Sequence, residues 1–211
     1  MGCRSLWQFL KKRHKAVPRP ARQRIPQGRF RIDVQGSIYP SIRHAYSQNA
    51  TPEAAHASVL RRIEQLGNPS DSVLYFDGGA AVEKQQTHQD RQKVRTKALA
   101  EASKHITIFS ERQEKNLRIR KSHFTRIRKE LAKAFVWDPE MRKGLVRYLR
   151  EKGWTAIECD TEADLQIAKD FQQGDVAISG DSDLLAYASI AKIWRPMGRQ
   201  FLEYDVNDVL E

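Results

Sequence analysis

The stretch DVAISGDSDLLAY, residues 175–187, decides the fold. Its first five residues, DVAIS, make a short apolar run closed by Gly180, the pattern of a buried strand. Asp181 and Asp183 follow at once, and carboxylates two residues apart repel each other. Two other apolar runs stop the same way: FRIDV (30–34) at Asp33, and SVLYFD (72–77) at Asp77, ahead of Gly78 and Gly79. A further run, WTAIEC (154–159), is followed by Glu162 and Asp164 at the opening of a helical pattern.

Working outward, helical patterns separate these strands. TPEAAHASVLRRIEQLG (51–67) has Thr51 as N-cap, Pro52 in the first turn and Gly67 at its close. Residues 80–104 are polar and helical, and 111–135 are basic and weakly amphipathic, reading as a helix or a mobile arm. An Asp138-Pro139 start predicts a helix that ends near Gly153. Thr161 is the expected cap of a helix over 161–174. A short helix over 182–189, strands at 191–196 and 201–204, and a terminal helix starting in DVNDVLE complete the reading. Residues 11–29, rich in proline, glycine and basic side chains, read as an extended arm and not a packed element. The alternation predicts an α/β fold with a mostly parallel central sheet flanked by helices. The division expected is a basic arm over 1–29 and one domain over 30–211. In such sheets the site lies beyond the carboxyl ends of the strands.

The chain has 211 residues, 40% of them hydrophobic, which suits one medium domain with its own core. No apolar run approaches the roughly 18 residues of a membrane span. Cys3 and Cys159 offer neither a disulfide framework nor metal-ligand spacing, so a reducing intracellular setting is expected. The first residues, MGCRSLWQFLKKRHK, fit neither a secretory signal nor the myristoylation pattern. KKRHK (11–15) reads as a nuclear localisation cluster or as nonspecific phosphate contacts. A mitochondrial presequence is the alternative, since the segment is Arg-rich and acid-free until Asp33, though poor in serine. The net charge of +11 is polarised: residues 1–31 hold ten Lys or Arg and no acid, whereas 151–211 hold thirteen Asp or Glu against five Lys or Arg. A basic body with an acidic pole points to a polyanion held by one part and cations gathered by the other.

Each acid taken alone has an ordinary explanation. Asp77-Gly78 is a common turn, and Glu162 and Asp164 suit a helix N-terminus. Six carboxylates on one rim are harder to explain. They raise each other's pKa and push the edge apart unless positive charge lies among them. Hard divalent cations with oxygen ligands, Mg²⁺ or Mn²⁺, serve this purpose. A cluster this rich could hold two ions about 4 Å apart, the spacing used for in-line attack on phosphodiesters. After Asp77, Lys84 and Arg91 stand seven residues apart, two helical turns on one face, where they could balance charge on a phosphate. A solvated basic helix is the plainer reading of that pair.

Together these residues resemble the flap endonuclease / XPG nuclease superfamily, whose core is a PIN-like domain. The resemblance lies in Met1-Gly2 before a short apolar run, in IDVQGSIY with the spacing of Asp33 and Tyr39, and in YFDG. It continues in the spacing of Lys84 and Arg91, in TEADLQIA and in ISGDSDLLAY, the last two closest to the exonuclease branch. It covers most of the chain: an N-terminal part over about 1–91, an arch-like basic region over 92–135 and an internal part over 138–211. It implies that Asp33, Asp77, Glu162, Asp164, Asp181 and Asp183 are ligands of two Mg²⁺ or Mn²⁺ ions, directly or through water. Lys84 and Arg91 would contact the scissile phosphate. Tyr39 would stack on a base, with a packed core aromatic as the equal alternative. Gly2 would lie near the substrate, and the arch-like region, with Arg118, Arg120, Lys121, Arg126 and Arg128, would hold phosphates. The implied partner is DNA with 5′ flaps, nicks or ends.

Two features of that family have no counterpart here: a further metal-ligating Asp and a helix-turns-helix module that grips duplex DNA, both beyond the equivalent of Glu211. No clamp-docking peptide is visible. Three functions therefore remain open on the sequence: a metal-dependent structure-specific DNA nuclease of weakened activity, a non-catalytic PIN-like nucleic-acid-binding or scaffold protein, and a PIN-type ribonuclease with RNA as partner.

Overall fold

Strands β2 (Phe30–Asp33), β3 (Ser72–Phe76), β4 (Thr155–Glu158), β5 (Val176–Ile178) and β6 (Lys192–Met197) form the parallel body of a seven-stranded sheet. The computed structural model describes residues 6, 7, 10, 17–20, 28–78, 85–198 and 200–210. Strands β7 (Gln200–Asp205) and β1 (Val17–Pro20) continue the sheet antiparallel beyond β6, giving the order β1-β7-β6-β5-β2-β3-β4. The expected α/β class and mostly parallel sheet are what the chain adopts.

Each central strand is buried on both faces, so its apolar run is continuous rather than alternating. Its side chains feed two separate clusters. Phe30, Ile32, Leu74, Phe76, Val176 and Ile178 face helices α1 (Val34–Gln48), α2 (Pro52–Ile63) and α5 (Pro139–Glu151). Val73, Tyr75 and Ala177 face α6 (Ala163–Asp170) and the 3₁₀ turn Asp183–Ala186. Buried polar groups tie the sheet to the end of α6. Arg31 Nε donates to Asp175 at 2.7 Å and Arg31 Nη1 to the Tyr75 hydroxyl at 2.8 Å, which donates on to Asp170 at 3.0 Å.

The caps expected for α2 and α5 are in place: Thr51 accepts from the Ala54 amide at 3.3 Å, and Asp138 accepts from that of Met141 at 2.8 Å. Three elements differ from the sequence reading. Helix α1 is one the sequence did not predict, because Gly36 and Pro40 interrupt its pattern. It kinks at Ile38 (φ −134°, ψ 16°). Within the stretch read as a loose arm, residues 17–20 form edge strand β1, where prolines lacking an N–H are tolerated. Trp7 and Leu10 are buried in the second cluster. Helix α6 starts two residues after the expected Thr161 cap and stops at Asp170, with Glu162 at the N-cap position and making no side-chain cap bond.

Residues 85–114 form α3, a helix of 30 residues and about 45 Å. Helix α4 (Lys121–Ala134) folds back on it through a turn in which Asn116 has φ 51°. The 111–135 region, left open as helix or arm, is thus largely helical. Phe109 meets Phe124 edge-on across this hairpin, with ring centroids 5.0 Å apart. Helix α7 (Val206–Leu210) ends the described chain. Among the described residues, no helix is long and apolar enough to cross a membrane.

Candidate active site

Strands β5, β2, β3 and β4 are neighbours and parallel, so their carboxyl ends share one edge of the sheet. Asp33 ends β2, Asp77 follows β3, Glu162 and Asp164 open the helix after β4, and Asp181 and Asp183 follow β5. The six expected acids therefore come to one edge. Their charges register nearby: after burial, the largest cause in each case, Asp77 and Asp181 raise the pKa of Asp33, Glu162 and Asp77 that of Asp164, and Asp164, Glu162 and Asp183 that of the Tyr187 hydroxyl.

Asp33 is the centre of this edge. It is 6% exposed. One carboxylate oxygen accepts from the Gly36 amide at 2.8 Å, which caps α1; the other accepts from the Ser179 hydroxyl at 2.8 Å. Burial, the largest cause, and the charges of Asp77 and Asp181 push its pKa up to about 7, against the pull of these two donors. A β-carbon at Gly36 would collide with both the Asp33 carboxylate and the Ser179 hydroxyl, so only glycine lets them meet there.

The other acids are held from a distance. The Asp77 carboxylate accepts from the Ala163 amide at 2.8 Å and so supplies the cap that α6 lacks locally. The Asp77 amide donates to Gln35 at 2.8 Å. Gly78 packs where a β-carbon would strike the Cys159 carbonyl, which draws the β3 and β4 loops together. Burial foremost, then Glu162 and Asp77, hold the Asp164 pKa above its ordinary value, opposed by the Leu165 amide and the Tyr187 hydroxyl. The Asp181 amide donates to Ser179 Oγ at 2.9 Å, and the Asp183 amide to Asp181 at 3.3 Å. Pro40 has no N–H to offer the Gly36 carbonyl four residues earlier; the Gly180 amide binds that oxygen at 3.1 Å. The break that hid α1 in the sequence thus docks the Gly180 turn.

The donor set fits a hard divalent cation in chemistry: carboxylate oxygens only, with repulsion that a cation relieves. The side chains do not enclose one as they stand. Among the described residues, no group of three or more His, Cys, Asp or Glu is arranged to hold a metal ion.

Of the remaining expected site residues, Lys84 and Gly2 lie outside the described residues, as does the KKRHK segment. Arg91 lies near the start of α3, and its side chain lies outside them too. Tyr39 is half-buried on α1, its ring 6.5 Å from that of Phe135. Arg118 and Arg120 lie in the hairpin turn and Lys121, Arg126 and Arg128 on α4, all five on the hairpin's surface. They belong to a different element from the acids. Sequence reasoning missed Gln35, Gly36, Ser179, Tyr187 and Arg142, whose Nη1 donates to the Gly78 carbonyl at 3.2 Å. Gly36 and Ser179 stand inside the quoted motifs, and their proximity to acids was the available signal.

No family model and no curated protein sequence matches the chain. Among solved structures it is similar to the catalytic core of Rad2 in complex with a DNA substrate, with a TM-score of 0.60 and 22% identity. The match covers 99% of this chain and 56% of that one, so the chain spans little more than half the length of that core. The chain has the α/β fold of the Rad2 catalytic core, the fold that its resemblance to the XPG superfamily implied.

Proposed function

We propose that the chain is a metal-dependent structure-specific nuclease that hydrolyses phosphodiesters in DNA at 5′ flaps, nicks or ends. One observation carries this reading: six carboxylates from four adjacent strand ends share one edge, where burial foremost and then the charges of Asp77 and Asp181 push the Asp33 pKa up to about 7. Asp33, Asp77, Glu162, Asp164, Asp181 and Asp183 are the residues that would hold the cations. Mg²⁺ or Mn²⁺, as a pair of ions, would supply neutralising charge and an activated water when bound.

The chain's own residues do the rest. The Gly36 amide and the Ser179 hydroxyl orient Asp33 and leave each of its oxygens a further lone pair. Asp77, held by Ala163, keeps α6 and its two acids at the edge. Lys84 and Arg91 would hold the reacting phosphate, Tyr39 would stack on a nearby base, and Gly2 would lie beside the substrate. Arg118, Arg120, Lys121, Arg126 and Arg128 would bind backbone phosphates on the hairpin. The KKRHK cluster supports a nuclear location.

The test is Mg²⁺-dependent cleavage of a 5′-flap and a recessed 5′ end, with matched RNA substrates beside them. Asp181→Ala should lower the rate at least about 100-fold, the scale on which groups that stabilise transition-state charge act. Cleavage that survives this change contradicts the reading, and faster cleavage of RNA moves the assignment to a ribonuclease. A second reading, a PIN-like nucleic-acid-binding protein with little catalysis, is favoured by the open arrangement of the acids among the described residues. Tight, metal-independent binding without turnover, unchanged by Asp181→Ala, is its signature.

A further inference from the structure

We infer that Trp7 is a positioning residue for the acid turn, its indole N–H holding the Gly180–Asp181 peptide in the orientation on which cation binding by Asp181 and Asp183 depends. This rests on the metal-site reading above and adds to it a residue far away in sequence. Trp7 Nε1 donates to the Gly180 carbonyl at 2.9 Å, across 173 positions of chain. That carbonyl and the Asp181 amide belong to one planar peptide group. Its other end is also held, because the Asp181 amide donates to Ser179 Oγ at 2.9 Å. The preceding peptide is fixed through the Gly180 amide, bound to the Gly36 carbonyl at 3.1 Å. Two successive peptides between β5 and the acids are therefore pinned, and Trp7 supplies the bond on the carbonyl that the turn itself leaves open.

The indole is in turn fixed. Trp7 is buried, its ring centroid lies 5.0 Å from that of Tyr204 on β7, and the Arg195 guanidinium on β6 lies 4.9 Å above it. Among the described residues the buried Tyr204 hydroxyl has no hydrogen-bond partner, so that ring acts here through packing. The Trp7 bond is one of the ties that hold this turn beside Asp33. Linkage is reciprocal: if the bond favours cation binding, a bound cation must favour the bond.

The test compares the intact chain with Trp7→Phe, which keeps an aromatic ring and loses the donor, and with Tyr204→Phe as control. Mn²⁺ binding followed by electron paramagnetic resonance should weaken about five- to tenfold in Trp7→Phe, the scale of one lost hydrogen bond, and stay unchanged in Tyr204→Phe. A backbone shift at the Asp181 amide should accompany it in Trp7→Phe alone. Equal Mn²⁺ affinity in wild type and Trp7→Phe overturns the inference while leaving the metal site intact. Absence of Mn²⁺ binding to the wild type overturns the metal-site reading itself. Should Trp7→Phe fail to fold, exchange of the Trp7 indole proton in the wild type decides: saturating Mg²⁺ should slow it several-fold, and an unchanged rate overturns the inference.

Discussion

Asp33 carries the conflict at the heart of this molecule. Its carboxylate is buried beside two like charges, and two hydrogen bonds only partly compensate. A buried carboxylate opposed in this way costs stability. Asp33→Asn should therefore raise the melting temperature of the metal-free protein at pH 8 by a few degrees, on the order of 1 kcal/mol. Burial alone would give more, but an amide cannot accept from both Gly36 and Ser179. Calorimetric melting without divalent cations checks this; a lowered melting temperature would show that the carboxylate's bonds outweigh its repulsion. Gly36→Ala should instead destabilise the fold, because its β-carbon meets the Asp33 carboxylate and the Ser179 hydroxyl, and moving either breaks the buried hydrogen bonds that hold them. At this scale the sequence shows which acids reach the edge, since they follow an apolar run or open the helix after one. It does not show what holds them. Gln35, Ser179 and Trp7 reach their partners across 42, 146 and 173 positions, and a local pattern holds no trace of such pairs.

Elements were legible where their local chemistry agreed with their tertiary role. Helices α2 and α5 announce themselves through Thr51-Pro52 and Asp138-Pro139, and they form as read. Helix α1 stayed hidden because Pro40 breaks its pattern, and that break turns the Gly36 carbonyl outward to Gly180. Strand β1 stayed hidden because Pro18 and Pro20 argue against any strand that is not an edge. The α3–α4 hairpin displays Arg118, Arg120, Lys121, Arg126 and Arg128 on its surface. Replacing all five by Gln should weaken nucleic-acid binding and flatten its salt dependence while leaving the melting temperature nearly unchanged. Binding measured across a salt series checks this, and an unchanged slope would place the phosphate contacts elsewhere. The α2–α5 contact carries its own pH signature. His56 is buried between Tyr46 and Tyr148, at ring distances of 5.8 and 5.3 Å, and burial, foremost, with Arg147 lowers its pKa. A lowered folded pKa means the unfolded chain binds the proton first. Stability from neutral His56 is complete above the ordinary histidine value of 6.5 and is lost as pH falls from there through the folded pKa. Melting of wild type and His56→Gln between pH 8 and pH 5 should show a smaller acid-side loss in the variant; parallel curves would assign the pH dependence elsewhere.

At the scale of the whole molecule, the sheet order converts four distant segments into one acidic edge. Strands β5, β2, β3 and β4 are adjacent, and the register sets Ile32 beside Ile178 although one lies early in the chain and the other late. The C-terminal strands, with Trp7, brace the same edge from the β6 side. The alternation of strands and helices made the α/β class readable, and the antiparallel return of β7 and β1 depends on contacts that the alternation does not encode. If this edge is a metal site, divalent cations must reconcile these carboxylates. Calorimetric titration of Mn²⁺ and Mg²⁺ into the intact chain tests that most directly. Saturable binding of about two ions, reduced in Asp77→Ala and in Asp181→Ala, is the result predicted. No binding, or binding unchanged by either substitution, would contradict it.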